Sequence, residues 1–119
     1  MDYFEKAEFY YNKKDYGMAL NAYMKALTTK QNEPALIYNC AMCLIKLQRY
    51  EDAIAFLKAA IELKQDSRFY FNLAYCYAKI GDNKKALLYF NTAWALDNED
   101  KDCERAIDMI LRSLTKKSR

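Results

Sequence analysis

The chain has 119 residues, the length of one domain, and 53% of them are hydrophobic. Its formal net charge is +3, from 19 basic and 16 acidic residues, which is a weaker imbalance than a nucleic-acid-binding domain usually shows. It has no histidine, and it has only two glycines and one proline. It therefore lacks the His-based catalytic sites and the glycine-rich phosphate loops of many enzymes. It also lacks the turn signals of a β protein.

These absences predict an all-α, non-catalytic protein that needs no cofactor or metal. The N-terminus is charged, unlike a secretory signal, and no apolar run is long enough to span a bilayer. We therefore expect a cytoplasmic protein with protein or peptide partners, no nucleic-acid partner and no membrane insertion.

Small residues recur at a fixed interval along the chain. Ala7, Ala41 and Ala74 lie 34 and then 33 residues apart. Two further triplets keep the same intervals: Ala19, Ala53 and Ala86, and Ala26, Ala60 and Ala93. Such a period is the signature of a stacked repeat array. It predicts a single domain over residues 1–119, with repeats at about 1–33, 34–66 and 67–100.

Each repeat is predicted to be two helices joined by a short turn. In the first repeat Lys6 stands where an apolar residue is expected, so the outer side of that helix can remain in water. Pro34 opens the second repeat, where proline fits a first helical turn. The second helix of each repeat carries the clearest apolar stripe. In the first repeat the stripe is Tyr16, Ala19, Leu20, Tyr23, Ala26 and Leu27, and in the second it is Tyr50, Ala53, Ile54, Leu57, Ala60 and Ile61. In the third it is Ala86, Leu87, Phe90, Ala93 and Trp94.

Turns are predicted at Lys14-Asp15, Gln48-Arg49 and Gly81-Asp82, and Gly81 suits a C-terminal helix cap. A last amphipathic helix is predicted at about 101–115. Its apolar side consists of Cys103, Ala106, Ile107, Ile110, Leu111 and Leu114. We expect it to cap the stack and to cover Trp94. A basic tail follows at 116–119.

Cys40 and Cys43 form a C-x-x-C motif, which in other settings binds metal or carries redox chemistry. Here the motif falls in the middle of a predicted helix, and Cys43 and Cys76 occupy the same repeat position. Buried cysteine behaves as a small hydrophobe. We therefore expect structural thiols; a Cys-only zinc site and a disulfide are the alternatives.

The core positions, including Tyr-x-x-Ala-Leu and Phe-x-x-Ala near the second helices, resemble those of the tetratricopeptide repeat family over nearly the whole chain. The resemblance implies seven helices, arranged as a right-handed superhelix of three helix-turn-helix hairpins plus a capping helix. The first helix of each hairpin would line a concave groove that binds an extended or helical segment of a partner.

One form of this family, the carboxylate clamp, grips acidic chaperone tails through lysine, asparagine and arginine side chains. At the matching positions this chain has Phe4 and Glu8 in place of a Lys and an Asn, and Asn72 in place of the last basic residue. Asn39 is retained, and Arg68 replaces a Lys. Two basic groups are lost and one acid is gained, so the resemblance does not imply binding of an acidic tail.

The first-helix residues outside the core are the candidate groove residues: Phe4, Glu8, Tyr11, Tyr38, Asn39, Met42, Ile45, Arg68, Phe71, Asn72, Tyr75 and Lys79. Phe4, Tyr38 and Phe71 are one repeat apart and are predicted to form an aromatic ladder. Aromatic and Met side chains supply apolar pockets, and an asparagine can bond a peptide backbone. The set predicts a non-catalytic scaffold or adaptor that binds an apolar or amphipathic peptide. The alternatives are a self-associating module that forms a homo-oligomer and a small chaperone that shields an apolar segment.

Overall fold

The computed structural model describes the backbone of residues 1–117 and the side chains of residues 1–114. All regular structure in the described residues is helical. There are seven helices in that range: α1 (Tyr3–Asn12), α2 (Tyr16–Leu27), α3 (Pro34–Lys46), α4 (Tyr50–Leu63), α5 (Ser67–Lys79), α6 (Asn83–Leu96) and α7 (Lys101–Lys117). The predicted all-α class and helix number are confirmed. Of the predicted basic tail, residues 118–119 and the side chains of 116–117 lie outside the described residues.

The helices fall into two compact units. Unit 1 is Met1–Lys64 and contains α1 to α4, and unit 2 begins at Gln65 and contains α5 to α7. In unit 1, α1 packs on α2, α2 on α3, and α3 on α4; in unit 2, α5 packs on α6 and α6 on α7. Within residues 1–114, no helix is both long and apolar enough to cross a membrane. The cytoplasmic location stays a prediction.

The three alanine columns lie in the core of these units. All nine alanines are buried, and every one except Ala26, at 8%, has no exposed surface. A methyl group lets the facing helix approach closely, and larger neighbours such as Leu57 and Phe90 fill the space beside it. The alanine period therefore sets the contact between the helices of each hairpin.

The three predicted turns share one backbone conformation. Lys14, Gln48 and Gly81 occupy equivalent positions and have φ values of 64°, 60° and 88°. The N–H of Asp15 donates to the carbonyl of Tyr10 over 2.9 Å, and the N–H of Lys14 to the carbonyl of Tyr11 over 2.9 Å. The other two turns repeat both bonds. This is the Schellman motif, in which a left-handed residue ends the helix. Only the third repeat has the glycine that this conformation favours.

The helix after each turn is capped in two different ways. Asp15 and Asp82 accept hydrogen bonds from backbone N–H groups three residues on, over 3.2 and 3.1 Å. Arg49 holds the equivalent position in the second repeat and makes no side-chain cap. Its guanidinium instead pairs with Asp52 over 2.8 Å. An aspartate near a helix N-terminus is favourable there.

The capping helix α7 leaves Trp94 partly exposed. Asp100 caps α7 by accepting from the N–H of Asp102 over 2.9 Å, and Cys103 and Ile110 are buried. Trp94 nevertheless keeps 39% of its surface exposed, and Leu111 keeps 47%. Leu27 and Ile61, at positions equivalent to Trp94, are half-buried. The larger indole extends beyond the area that this column covers, so the expected covering of Trp94 is wrong in degree.

The turn geometry predicts that Gln48→Gly raises the free energy of unfolding by about 1 kcal/mol, because a left-handed conformation costs a side-chain-bearing residue that much. The reverse change at the equivalent position, Gly81→Ala, should lower it by a similar amount. Urea denaturation monitored by circular dichroism measures both.

Ala59→Gly is the matched control, since Ala59 is exposed within α4. A glycine there should lower stability by about 1 kcal/mol through helix propensity alone. Equal losses for Gln48→Gly and Ala59→Gly would contradict the turn assignment.

Candidate functional site

The candidate residues of unit 1 lie on α1 and α3, and we call them the first-helix face of unit 1. The face consists of Phe4, Glu8, Tyr11, Tyr38, Asn39 and Met42. Phe4 is 40% exposed and Glu8 is exposed, while the other four are half-buried. Ile45 differs, because it is only 9% exposed and belongs to the core. It therefore offers a ligand very little surface.

Tyr23 of α2 brings α1 and α3 together beneath this face. The ring of Phe4 meets the Tyr23 ring edge-on, with centroids 6.1 Å apart. Burial, followed by the nearby Cys43 thiol and Glu8 carboxylate, raises the pKa of Tyr23 to about 12. Burial also raises the pKa of Tyr11, and Cys43 adds to that shift. Ala7 of α1, Tyr23 of α2 and Cys43 of α3 belong to one buried core cluster.

The candidate residues of unit 2 lie on α5 and form the first-helix face of unit 2: Arg68, Phe71, Asn72, Tyr75 and Lys79. Arg68 is exposed but pairs with Asp66 over 2.7 Å. The amide of Asn72 donates to the carbonyl of Arg68 over 2.9 Å, within its own helix. The Lys79 ammonium lies 5.5 Å from the Tyr75 ring centroid. The polar groups of this face thus already have partners within α5 and its N-cap.

Two rings of the predicted ladder have the same supporting contact. Phe71 meets Phe90 edge-on at 5.2 Å, as Phe4 meets Tyr23. Phe71 and Phe90 occupy positions equivalent to Phe4 and Tyr23. One edge of each ring is therefore used for packing against the second helix, and the remaining surface is available to a ligand. The ladder itself stays a prediction.

A cleft in unit 1 was not expected from the sequence. It has a volume of about 380 Å³. Its lining residues are Asp2, Tyr3, Phe4, Ala26, Thr29, Lys30, Glu33, Ala35 and Leu36. Leu36 and Phe69, equivalent to Asp2, are 4% and 2% exposed. Asp2 instead caps α1 by accepting from the N–H of Glu5 over 2.8 Å. The missing apolar side chain at position 2 is the sequence signal that could have indicated the cleft.

The four cysteines are free thiols with no exposed surface, so their predicted burial is confirmed. Burial raises the pKa of Cys40, Cys76 and Cys103 to about 12 and that of Cys43 to about 11. The Cys103 thiol also donates to Asp100 over 3.4 Å. Among residues 1–114, no group of three His, Cys, Asp or Glu side chains could hold a metal ion.

The thiol pKa values predict a loss of stability in alkali. Because the pKa of the Cys76 thiol is about 12 in the folded state and 9.0 in the unfolded state, its contribution to stability is fully present below pH 9 and is lost progressively as the pH rises towards 12. Between pH 8 and 10 the wild type should therefore lose about 1.4 kcal/mol more than Cys76→Ala, the contribution of one thiol. Urea denaturation with a reductant present at both pH values measures the difference. Parallel losses would show that Cys76 ionises equally in both states.

Two family models match the chain, and both are described as tetratricopeptide repeat. One matches residues 10–70 and the other residues 67–100. Together they extend from the last turn of α1 to the residue before α7.

Two curated relatives share part of their sequence with the chain. The mitochondrial import receptor subunit TOM70 of Saccharomyces cerevisiae is 35% identical over 86 residues, which is 72% of this chain and 11% of that protein. DnaJ homolog subfamily C member 7 of Mus musculus is 28% identical over 102 residues, which is 85% of this chain and 21% of that protein. The chain thus spans about a tenth to a fifth of the length of these relatives.

Among solved structures, the first TPR of Spaghetti (RPAP3) bound to the HSP90 peptide SRMEEVD is similar, with a TM-score of 0.90 and 18% identity. The match covers 95% of this chain and 90% of that one. A likeness at this level of identity concerns the fold.

Proposed function

The chain belongs to the tetratricopeptide repeat family, whose members are typically non-catalytic protein-interaction modules, and on this premise we propose that it is an adaptor whose first-helix faces bind an apolar or amphipathic segment of a partner protein. The observation that carries the proposal is the composition of the first-helix face of unit 1. It combines partly accessible rings and a methionine with one asparagine.

The rings suit this role because their positions are already set. Phe4 is supported edge-on by Tyr23, and Tyr11 by Tyr16 with ring centroids 5.2 Å apart. A supported ring loses little conformational freedom when a ligand packs on it. Aromatic side chains of this kind supply much of the binding energy at protein interfaces. Met42, which is half-buried on α3, can adapt its flexible side chain to different apolar ligands.

The charges of the two faces favour an apolar segment over an acidic one. The peptide in the RPAP3 structure, SRMEEVD, carries three acidic residues. In this chain the first-helix face of unit 1 carries the Glu8 carboxylate, which would repel such a ligand. In unit 2, Arg68 is already paired with Asp66. We therefore propose that this chain differs from the RPAP3 domain in the class of peptide it takes.

A selected peptide tests the proposal. A peptide would be chosen from a random display library by the wild-type chain, labelled with fluorescein and titrated by fluorescence anisotropy. Tyr38→Ala should weaken its binding about tenfold, since removal of an aromatic anchor typically costs 1–2 kcal/mol. Circular dichroism would establish that the variant remains folded.

Met109→Ala is the control, because Met109 is an apolar side chain on α7, is 71% exposed and lies outside both first-helix faces. Its affinity should stay within twofold of the wild type. Equal affinities for all three proteins, or a library that yields no binding peptide, would contradict the proposal. Light scattering at the titration concentrations separates peptide binding from the alternative, which is self-association. In a self-associating protein the measured mass would rise with protein concentration, and Tyr38→Ala would abolish that rise.

A further inference from the structure

We propose that the partner segment carries a basic side chain beside its apolar anchor, and that Glu8 is the counter-ion which selects it. The inference rests on the proposed function and specifies its ligand. It assigns the apolar anchor to the cleft next to Phe4 and the lysine or arginine to the carboxylate one helical turn further along α1.

Glu8 is a carboxylate set among aromatic side chains. It lies four residues after Phe4 and three before Tyr11, so all three share one side of α1. It is also close enough to the Tyr23 hydroxyl to help raise its pKa. A cation placed here would meet both a carboxylate and ring faces, and each of these attracts it.

Within residues 1–114, no ion pair includes Glu8. Some carboxylates of the described residues differ in this respect, whereas others, such as Glu62, also form none of these pairs. Asp52 pairs with Arg49 over 2.8 Å and Asp66 with Arg68 over 2.7 Å. The first-helix face of unit 1 therefore presents the negative charge of Glu8, which none of the ion pairs among the described residues neutralises. The ligand group complementary to this charge is a cation.

The cleft is suited to the apolar anchor. Ala26 and Leu36 are buried and form its apolar part, and Phe4 borders both the cleft and the first-helix face. Its charged lining groups are two acids, Asp2 and Glu33, and one base, Lys30. The acids are offset by Lys30 and by Lys6 and Lys25, whose ammonium groups lie 5.6 Å from the Tyr3 ring. The cleft thus attracts neither sign of charge strongly. Its volume of about 380 Å³ is within the range of ligand sites.

The geometry of α1 sets the spacing of the two ligand groups. Glu8 lies four positions after Phe4 in α1, a rise of about 6 Å along the helix axis. An extended ligand covers this distance in about two residues, and a helical ligand in about three or four. The inference therefore predicts an apolar residue followed or preceded by Lys or Arg at one of these spacings.

A charge-reversal selection tests the inference. One random peptide display library would be selected separately by the wild type, by Glu8→Lys and by Glu62→Lys. Glu62 is an exposed glutamate near the end of α4, outside both first-helix faces, so Glu62→Lys is matched in charge but not in position. The wild type and Glu62→Lys should enrich Lys or Arg at a fixed spacing from an apolar residue. Glu8→Lys should enrich Asp or Glu at the same spacing.

Affinity gives a second measurement. The best wild-type peptide, and its copy with the basic residue changed to Gln, would be titrated against the wild type and Glu8→Gln. The basic residue should improve binding to the wild type about fivefold and should give no advantage with Glu8→Gln. An equal advantage with both proteins would assign the cation to another site and overturn the inference.

The outcomes separate the two proposals. Apolar peptides without an enriched basic residue, or a basic preference that Glu8→Lys leaves unchanged, would overturn the role of Glu8 while leaving the peptide-binding function intact. A library from which none of the three proteins enriches a peptide would overturn both.

Discussion

At Ala19, Ala53 and Ala86 the second helix of each repeat contributes only a methyl group to the core, and each of these residues has no exposed surface. A larger side chain at such a contact would separate the helices of a hairpin or force their neighbours out of position. The rest of each unit is built around this constraint. The turns at Lys14, Gln48 and Gly81 have the same hydrogen bonds because they join helices whose spacing is already determined.

The same constraint separates the residues that hold the fold from those that can bind a partner. The alanine columns and the large residues beside them occupy the interior of each hairpin, while the first-helix faces project from it. The separation is incomplete, since Phe4 and Phe71 each use one ring edge to pack on the second helix. This shared use orders the rings before a ligand arrives, which lowers the entropic cost of binding.

The sequence was sufficient for the helices, the alanine core and the places of the turns, because each follows from a local period or a single residue type. The left-handed conformation was indicated only at Gly81, since Lys14 and Gln48 are not residue types that favour it. Degrees of exposure were harder to predict. Ile45 is buried while Tyr11 at the equivalent position is half-buried, since that column borders the core and the longer tyrosine extends past it. The intrahelical bond of Asn72 and the cleft beside Asp2 depend on side-chain direction and on a missing neighbour, which the repeat pattern alone does not indicate.

We propose that the first-helix faces, and not the second helices, hold the partner. The most direct test is a ¹H–¹⁵N NMR titration of the labelled chain with a peptide selected by the wild type. The largest shifts should fall on backbone amides of α1 and α3, around Phe4, Glu8 and Tyr38, and on Ala26 beside the cleft, while the other amides of α2 and those of α4 should move little. Shifts concentrated on α4 and on the part of α2 before Ala26 would show instead that the second helices hold the partner.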